Sequence, residues 1–136
     1  MLNASLNSVV ELKHLYIGHI SFSRTSDKID DNKLTISFKK SYDFNEEHNA
    51  CKVTLGCSIK NQDSECINLQ VDIIGHFTCN DESLERREQL LTKNTLAILF
   101  PYLRSQISLI TAQPELTPIV LPPMNIEAVF DLASDE

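Results

Sequence analysis

The sequence predicts an α+β domain in which a four-stranded antiparallel sheet carries the C-terminal helices on one face. Between Val10 and Phe77, four segments alternate apolar and polar residues with a period of two, as strands with one buried face do. From Asp81 onward, the apolar residues recur at helical spacing instead. A run of strands followed by a run of helices is typical of the α+β class.

The first two predicted strands differ in regularity. The first covers Val10–Phe22, and its apolar phase switches near Leu15 and Ile17, which predicts a bulge or a twist. The second, Leu34–Phe44, alternates cleanly and is interrupted on its apolar face only by Lys40.

The third and fourth predicted strands cover Cys51–Ile59 and Ile67–Phe77. The loop between them, Lys60–Ser64, is short enough for a hairpin. Strand four carries Ile74 among outward residues that are otherwise polar. Because an apolar outer residue and an open sheet edge both need cover, we expect the chain to associate with itself.

The first two predicted helices follow the sheet directly. Asp81 or Ser83 can cap the first of them. The second apolar stripe runs over residues 96–110 and contains Pro101, which predicts either a kink or a break with a new helix opening at Phe100.

The last part of the chain is predicted to be extended and then helical. Segment Gln113–Pro123 contains four prolines and should run extended over the surface. Asn125 can cap a short helix, Ile126–Leu132. One domain covering residues 1–136 accounts for the whole chain, with residues 133–136 expected as a disordered tail.

Composition and motifs narrow the classes of function. With 12 basic and 19 acidic residues, the net charge is −7, and no Lys/Arg run could follow a phosphate backbone, so we expect neither nucleic acid nor an anionic membrane as a partner. No secretion signal or membrane span is evident, which predicts a cytoplasmic protein without membrane insertion. The four cysteines form no CxxC pair, and the four histidines have no ligand spacing. Phosphate-loop, HExxH and nucleophile signatures are also lacking, so we expect no metal, no cofactor and no enzyme activity.

Two motifs in the C-terminal third and one near the N-terminus carry a family resemblance. Residues 99–104 read Leu-Phe-Pro-Tyr-Leu-Arg, residues 121–126 read Leu-Pro-Pro-Met-Asn-Ile, and residues 15–22 read Leu-Tyr-Ile-Gly-His-Ile-Ser-Phe. Together they resemble the SecB family of export chaperones, in which a helix opens with Leu-Phe-Pro-Tyr-Ala-Arg and a Pro-x-Asn-Phe-x-Ala-Leu-Phe element closes the domain. The resemblance covers residues 9–24 and 51–131.

The resemblance implies an ATP-independent chaperone that binds unfolded or nascent polypeptides and acts in protein transport. It implies a homotetramer, a dimer of dimers with sheets joined edge to edge and long helices packed between the dimers. Clients would bind in apolar grooves lined by the second strand and by the elements that cross the sheet. The groove candidates in this chain are Leu34, Ile36, Phe38, Phe130, Leu132, Phe22 and Leu121.

Each groove candidate could instead be an ordinary core residue, which is the usual fate of an apolar side chain on an alternating strand. The sequence leaves both interpretations open for Phe38 and Phe130. For Phe100 and Leu103, which lie in the same motif region, it favours the core.

The resemblance weakens at the surface by which SecB meets the SecA motor. That surface is acidic in the family, whereas the corresponding residues here are His19, Ser23 and Gln70. Asp72 lies two residues from Gln70 on the same predicted face, and this single acid compensates only partly for the acids that are missing. We therefore expect weak or absent binding of SecA.

Two alternatives to a general export chaperone remain open. One is a SecB-like chaperone dedicated to a single client, such as the antitoxin of a toxin–antitoxin module, which would keep the groove and lose the acidic surface. The other is a non-enzymatic adaptor that binds one folded partner. The sequence identifies neither the client nor the host.

Overall fold

A computed structural model describes residues 9–26, 33–61 and 66–134, the last three of these by their backbone only. Four strands and three helices follow one another along the chain. They are β1 (Val10–Arg24), β2 (Leu34–Phe44), β3 (Ala50–Asn61), β4 (Ile67–Cys79), α1 (Leu84–Lys93), α2 (Thr95–Thr111) and α3 (Ile126–Ser134).

The four strands form one antiparallel sheet in the order β1-β4-β3-β2. The first two strands along the chain therefore become the two edges, and β3 and β4 lie in the centre. Helix α2 packs against β3 and β4. The predicted fold class, an antiparallel sheet with C-terminal helices on one face, is confirmed.

The core lies between α2 and the two central strands. Every second residue of β3 and β4 points towards the helices and is buried, because α2 excludes water from this part of the sheet. The buried strand residues are Cys51, Val53, Leu55, Cys57, Ile59, Ile67, Leu69, Val71, Ile73, Phe77 and Cys79. Gly75 continues the row, and a Cβ atom there would lie 2.7 Å from Leu99 Cδ2, so the absent side chain allows α2 to approach the sheet.

Strand β1 contains the irregularity that its sequence predicts. Its register with β4 shifts between Leu12 and His14 and again between Ile17 and His19. Each shift inserts one extra residue, so the apolar residues on both sides of it can face the helices despite the change of phase. The predicted bulge is therefore confirmed, with two register shifts.

Of the two alternatives predicted at Pro101, a kink or a break with a new helix opening at Phe100, the break is wrong. Helix α2 runs through Pro101 without interruption, and the chain instead interrupts its helices at Asn94. Pro101 is exposed and removes a single backbone donor. The neighbouring side chains of Leu99 and Leu103 are fully buried against the sheet, and this packing outweighs the lost hydrogen bond.

Capping residues begin two of the helices where the sequence predicts them. The Ser83 hydroxyl accepts a hydrogen bond from the Arg86 amide at 3.4 Å, and the Asn125 side chain accepts one from the Ala128 amide at 3.3 Å. Asp81 supports the first cap by accepting from the Ser83 amide at 3.0 Å.

The extended segment between α2 and α3 is hydrogen-bonded along α2. Arg104 Nε donates to the carbonyl oxygen of Leu121 at 2.8 Å, and the Ser108 hydroxyl donates to that of Ile119 at 3.0 Å. The Thr111 hydroxyl accepts from the Ile119 amide at 2.8 Å. These bonds satisfy backbone groups of a proline-rich segment that has no regular structure of its own.

Two sequence predictions fall partly or wholly outside the described residues. Strand β3 continues to Asn61, so Lys60 and Asn61 belong to it, while the rest of the predicted hairpin loop, residues 62–64, is not described. Of the predicted disordered tail, residues 133 and 134 continue α3 and residues 135–136 are not described.

Candidate functional site

The inner face of β2 is only partly covered, although it continues the buried faces of β3 and β4. Ile36 is 40% exposed, whereas its cross-strand partner Ile59 is fully buried. Phe38 is half-buried, and its partner Cys57 is 2% exposed. Since α2 lies over β3 and β4, it leaves part of the inner face of the edge strand β2 uncovered. An open apolar strip results, which we call the β2 groove, with Leu34, Ile36, Phe38, Lys40, Arg104 and Phe130 as its lining residues.

The wall of the β2 groove on the α2 side is aromatic at its base. The ring of Phe38 meets that of Phe100 edge to face, with 6.1 Å between the ring centres. Phe100 is 4% exposed and belongs to the core. The Arg104 guanidinium lies 5.9 Å from the centre of the Phe100 ring, so a cation borders the apolar strip on this side.

Helix α3 also borders the β2 groove. The Lys40 ammonium lies 4.9 Å from the centre of the Phe130 ring and 5.7 Å from that of Tyr42. Nearby on α3, burial raises the pKa of the Glu127 carboxyl, and the Lys40 ammonium opposes that shift. Glu127 Oε1 is buried and has no hydrogen-bond partner within the described part of the chain.

Tyr42 fixes the far end of the β2 groove. Its hydroxyl donates to the carbonyl oxygen of Thr92 at 2.9 Å, which ties β2 to the end of α1. Burial raises the pKa of Tyr42 far above its ordinary range, with a further contribution from the Glu127 carboxylate. Tyr42 therefore stays a neutral hydrogen-bond donor.

The predicted groove residues divide into three groups. Ile36, Phe38 and Phe130 lie on the β2 groove, and half-buried Leu34 begins the same strand. Phe22 is half-buried on β1, at the opposite edge of the sheet, and Leu121 is 2% exposed. Leu132 belongs to α3, but its side chain is not described. Leu103, for which the sequence favours the core, is fully buried.

The predicted partner surface lies on the outer face of the sheet. His19 pairs with Asp72 across β1 and β4, and Gln70 is two residues away on the same face, as predicted, with Ser23 beyond it. The Asp72 carboxylate is 3.4 Å from the Lys39 ammonium and only 17% exposed. The one acidic side chain among these four residues is therefore neutralised by a lysine.

A glycine permits this ion pair. Gly56 lies between Lys39 and Asp72, and a Cβ atom there would come within 2.6 Å of Lys39 Cε and 2.5 Å of Asp72 Oδ1. The lysine side chain can cross β3 because this residue has none.

Other kinds of site find no support within the described residues. They contain no group of three or more His, Cys, Asp or Glu side chains that could hold a metal ion. They also contain no helix long and apolar enough to cross a membrane. Burial raises the pKa of the Cys57 thiol to about 12, so this cysteine behaves as an apolar core residue rather than as a nucleophile.

Sequence reasoning missed three charged residues beside the β2 groove. Arg104 belongs to the motif at residues 99–104, which was used only as evidence of the family resemblance. Glu127 lies on the last predicted helix. Lys40 did leave a signal, since it interrupts the apolar face of an otherwise regular strand. Their proximity depends on how α2 and α3 cross the sheet, which no spacing along one element reveals.

Comparisons with known proteins agree with this architecture. A family model described as "Preprotein translocase subunit SecB" matches residues 3–136. An uncharacterised protein of Methanocaldococcus jannaschii, MJ0357, is 38% identical over 64 residues, which are 47% of this chain and 41% of that protein's length.

Two solved structures are also similar. The Mycobacterium tuberculosis SecB-like chaperone Rv1957, solved in complex with a ChAD peptide from the Rv1956 HigA1 antitoxin, superposes with a TM-score of 0.66 at 16% identity. The match covers 89% of this chain and 94% of that one, and it shows a shared fold. A Streptococcus agalactiae protein of unknown function reaches a TM-score of 0.45 at 8% identity over 84% of this chain and 97% of that one, which is too low to support an argument.

Proposed function

We propose that this chain, which belongs to the SecB family because the family model matches residues 3–136, is an ATP-independent chaperone that binds non-native polypeptides in the β2 groove. The observation that carries the proposal is the open inner face of β2. Ile36 and Phe38 continue the apolar rows of the core, yet α2 leaves them accessible. An extended client polypeptide can complete the cover that the chain itself lacks.

The energetics suit a client of no fixed sequence. Full burial of a large apolar side chain contributes about 1.5–3 kcal/mol, so a few anchors along one extended segment can hold it without reading its sequence. Binding of this kind needs neither nucleotide nor catalysis. The SecB-like Rv1957, whose fold this chain shares, is itself bound to a peptide in its solved structure, which supports the same role here.

The experiment tests whether Ile36 binds clients rather than holding the fold. The purified chain should suppress aggregation of a chemically denatured protein on dilution, and Ile36→Ser should reduce that suppression several-fold. Leu84→Ser is a matched control, because Leu84 is also an exposed apolar residue, 52% accessible, but lies far from Ile36. It begins α1, and Arg87 of that helix donates to the carbonyl oxygen of Glu47 in the β2–β3 turn, at the other end of β2. Equal activity of the two variants, or no suppression by the wild type, would contradict the proposal.

A chaperone dedicated to one client is the second candidate function. It is favoured by the outer sheet face, where His19 and a neutralised Asp72 replace an acidic docking surface for SecA. We infer weak binding of SecA on this ground, since charge complementarity governs such contacts. Calorimetric titration with the SecA tail would overturn this inference if it gave tight, salt-sensitive binding.

Exposed apolar residues outside the β2 groove support self-association, which we propose as a homotetramer. Tyr16 and Ile20 are 45% and 49% exposed on the edge strand β1. Helix α2 exposes Tyr102 and Leu109 on the side turned away from the sheet. Light scattering at micromolar concentration should give a mass well above 15.4 kDa, the mass of one chain.

A further inference from the structure

We infer that the β2 groove selects polypeptide segments that carry a carboxylate beside an apolar anchor, and that Lys40 is the residue that makes this selection. The inference rests on the proposed function, because it names the client chemistry of the same groove. It concerns a specific feature of this chain, the one charged residue on the inner face of β2 between Phe38 and Tyr42.

Lys40 stands in line with the apolar residues that would bind a client. Its backbone pairs with fully buried Leu55, so it belongs to the inner face, as do Ile36 and Phe38. Alternate residues of a strand lie about 7 Å apart along one face. A client segment that runs along Ile36 and Phe38 therefore reaches the Lys40 ammonium at its next residue on the same face.

The two adjacent lysines of β2 differ in their partners. On the outer face, Lys39 forms an ion pair with Asp72. On the inner face, Lys40 lies over the rings of Phe130 and Tyr42, and no carboxylate in the described part of the chain forms an ion pair with it. Because Lys40 is exposed, a client carboxylate can reach its ammonium, and the two aromatic rings keep that ammonium beside the apolar residues of the groove.

A second cation lies on the other side of the same apolar strip. The Arg104 guanidinium covers Phe100, which in turn contacts Phe38. Its Nε atom is already engaged by the carbonyl oxygen of Leu121. Cations from β2 and α2 thus flank Phe38, although the chain as a whole carries a net charge of −7.

Two carboxylates of α3 oppose the effect of the cations. Glu127 interacts electrostatically with Lys40, and Asp131 with Glu127. Burial raises the pKa of Glu127, and its Oε1 atom has no hydrogen-bond partner within the described chain. Glu127 is therefore a poorly solvated counter-charge for Lys40, and a client carboxylate can take its place with a charge-assisted hydrogen bond.

These contacts define the client segment. It is extended, and it presents an apolar side chain to Ile36 and Phe38 and an Asp or Glu two residues away, since residues i and i+2 of an extended chain share one face. Segments with an uncharged residue at that place should still bind, through apolar burial alone, but more weakly.

The test compares two fluorescent, unstructured peptides that differ only in Glu or Gln two residues from a central Phe. Fluorescence anisotropy with the wild-type chain should show about 2- to 5-fold tighter binding of the Glu peptide, as expected for one charge pair at an exposed ammonium. Lys40→Met should remove this preference, which is measured as the ratio of the two affinities within each variant. Lys40→Arg should retain most of it, and Glu127→Gln should increase it.

The adjacent residue supplies the matched control. Lys39→Met removes the same charge from the same strand on the opposite face and should leave the ratio of the two affinities unchanged. Thermal unfolding of each variant verifies that it folds, which Lys40→Met should, since Lys40 is exposed.

The outcomes separate the inference from the proposed function. Equal binding of both peptides by the wild type, or a preference that survives Lys40→Met, would overturn the role of Lys40 while leaving the groove intact. If neither peptide binds and Ile36→Ser also leaves client protection unchanged, the groove itself is refuted.

Discussion

Strands β2 and β3 have the same alternation of apolar and polar residues, yet only β3 is buried. Leu55 of β3 is inaccessible to solvent, while Ile36 of β2 is 40% exposed. The difference arises because α2 contacts β3 and β4, whereas β2 forms the edge. A period of two thus tells which side chains share a face, and the placement of a helix decides whether that face becomes core or binding surface.

The largest expected effect comes from truncating the same kind of side chain on the two strands. Leu55→Ala should lower the free energy of unfolding by about 2–5 kcal/mol, because it leaves a cavity in a closed core. Ile36→Ala should lower it by about 1 kcal/mol, since a large part of that side chain is already exposed. Urea denaturation of both variants measures the difference, and equal losses would mean that β2 is covered as completely as β3.

A second prediction compares two glycines on opposite faces of the central strands. Gly75→Ala places a Cβ atom 2.7 Å from Leu99 Cδ2, inside the closely packed core, and should cost about 1–3 kcal/mol. Gly56→Ala places a Cβ atom 2.5 Å from Asp72 Oδ1 and 2.6 Å from Lys39 Cε, and it should cost less because the exposed lysine side chain can move into solvent. Thermal unfolding of the two variants shows which one loses more stability. A larger loss in Gly56→Ala would mean that the outer face of the sheet is packed more closely than the inner face.

The smallest effect concerns Glu127 at the wall of the β2 groove. Its pKa is raised in the folded chain, so folding favours the protonated carboxyl, and the stability it contributes is present at low pH and lost as the pH rises through that raised pKa. Glu127→Gln mimics the protonated form and should unfold at the same or a slightly higher temperature than the wild type at pH 7. The difference should vanish below about pH 4, where the carboxyl is protonated in both states.

A clear loss of stability in Glu127→Gln at pH 7 would contradict the raised pKa of Glu127. It would indicate instead that the carboxylate forms a favourable ion pair with Lys40, and the groove would then lack the open ammonium on which its selectivity depends. The conservative size of the substitution keeps packing nearly constant, so the comparison reports charge.

The local sequence pattern was sufficient to predict most of the strands and helices. The alternation in β2, the bulge in β1 and the caps at Ser83 and Asn125 could be predicted from sequence because each depends on residues within a few positions of one another. The break at Phe100, one of the two alternatives predicted for Pro101, was wrong for the opposite reason. Proline at position 101 disfavours a helix locally, but burial of the neighbouring side chains by the sheet stabilises it.

The sequence by itself therefore determined which residues alternate, where two of the three described helices begin and which family the motifs resemble. Only the tertiary structure decided that Ile36 and Phe38 remain open while Leu121 is core, and that Lys40, Arg104 and Glu127 surround one groove. Exposure and electrostatic surroundings depend on which distant segments cover a residue. That choice follows from the packing of whole helices on a sheet, to which residues far apart along the chain contribute together.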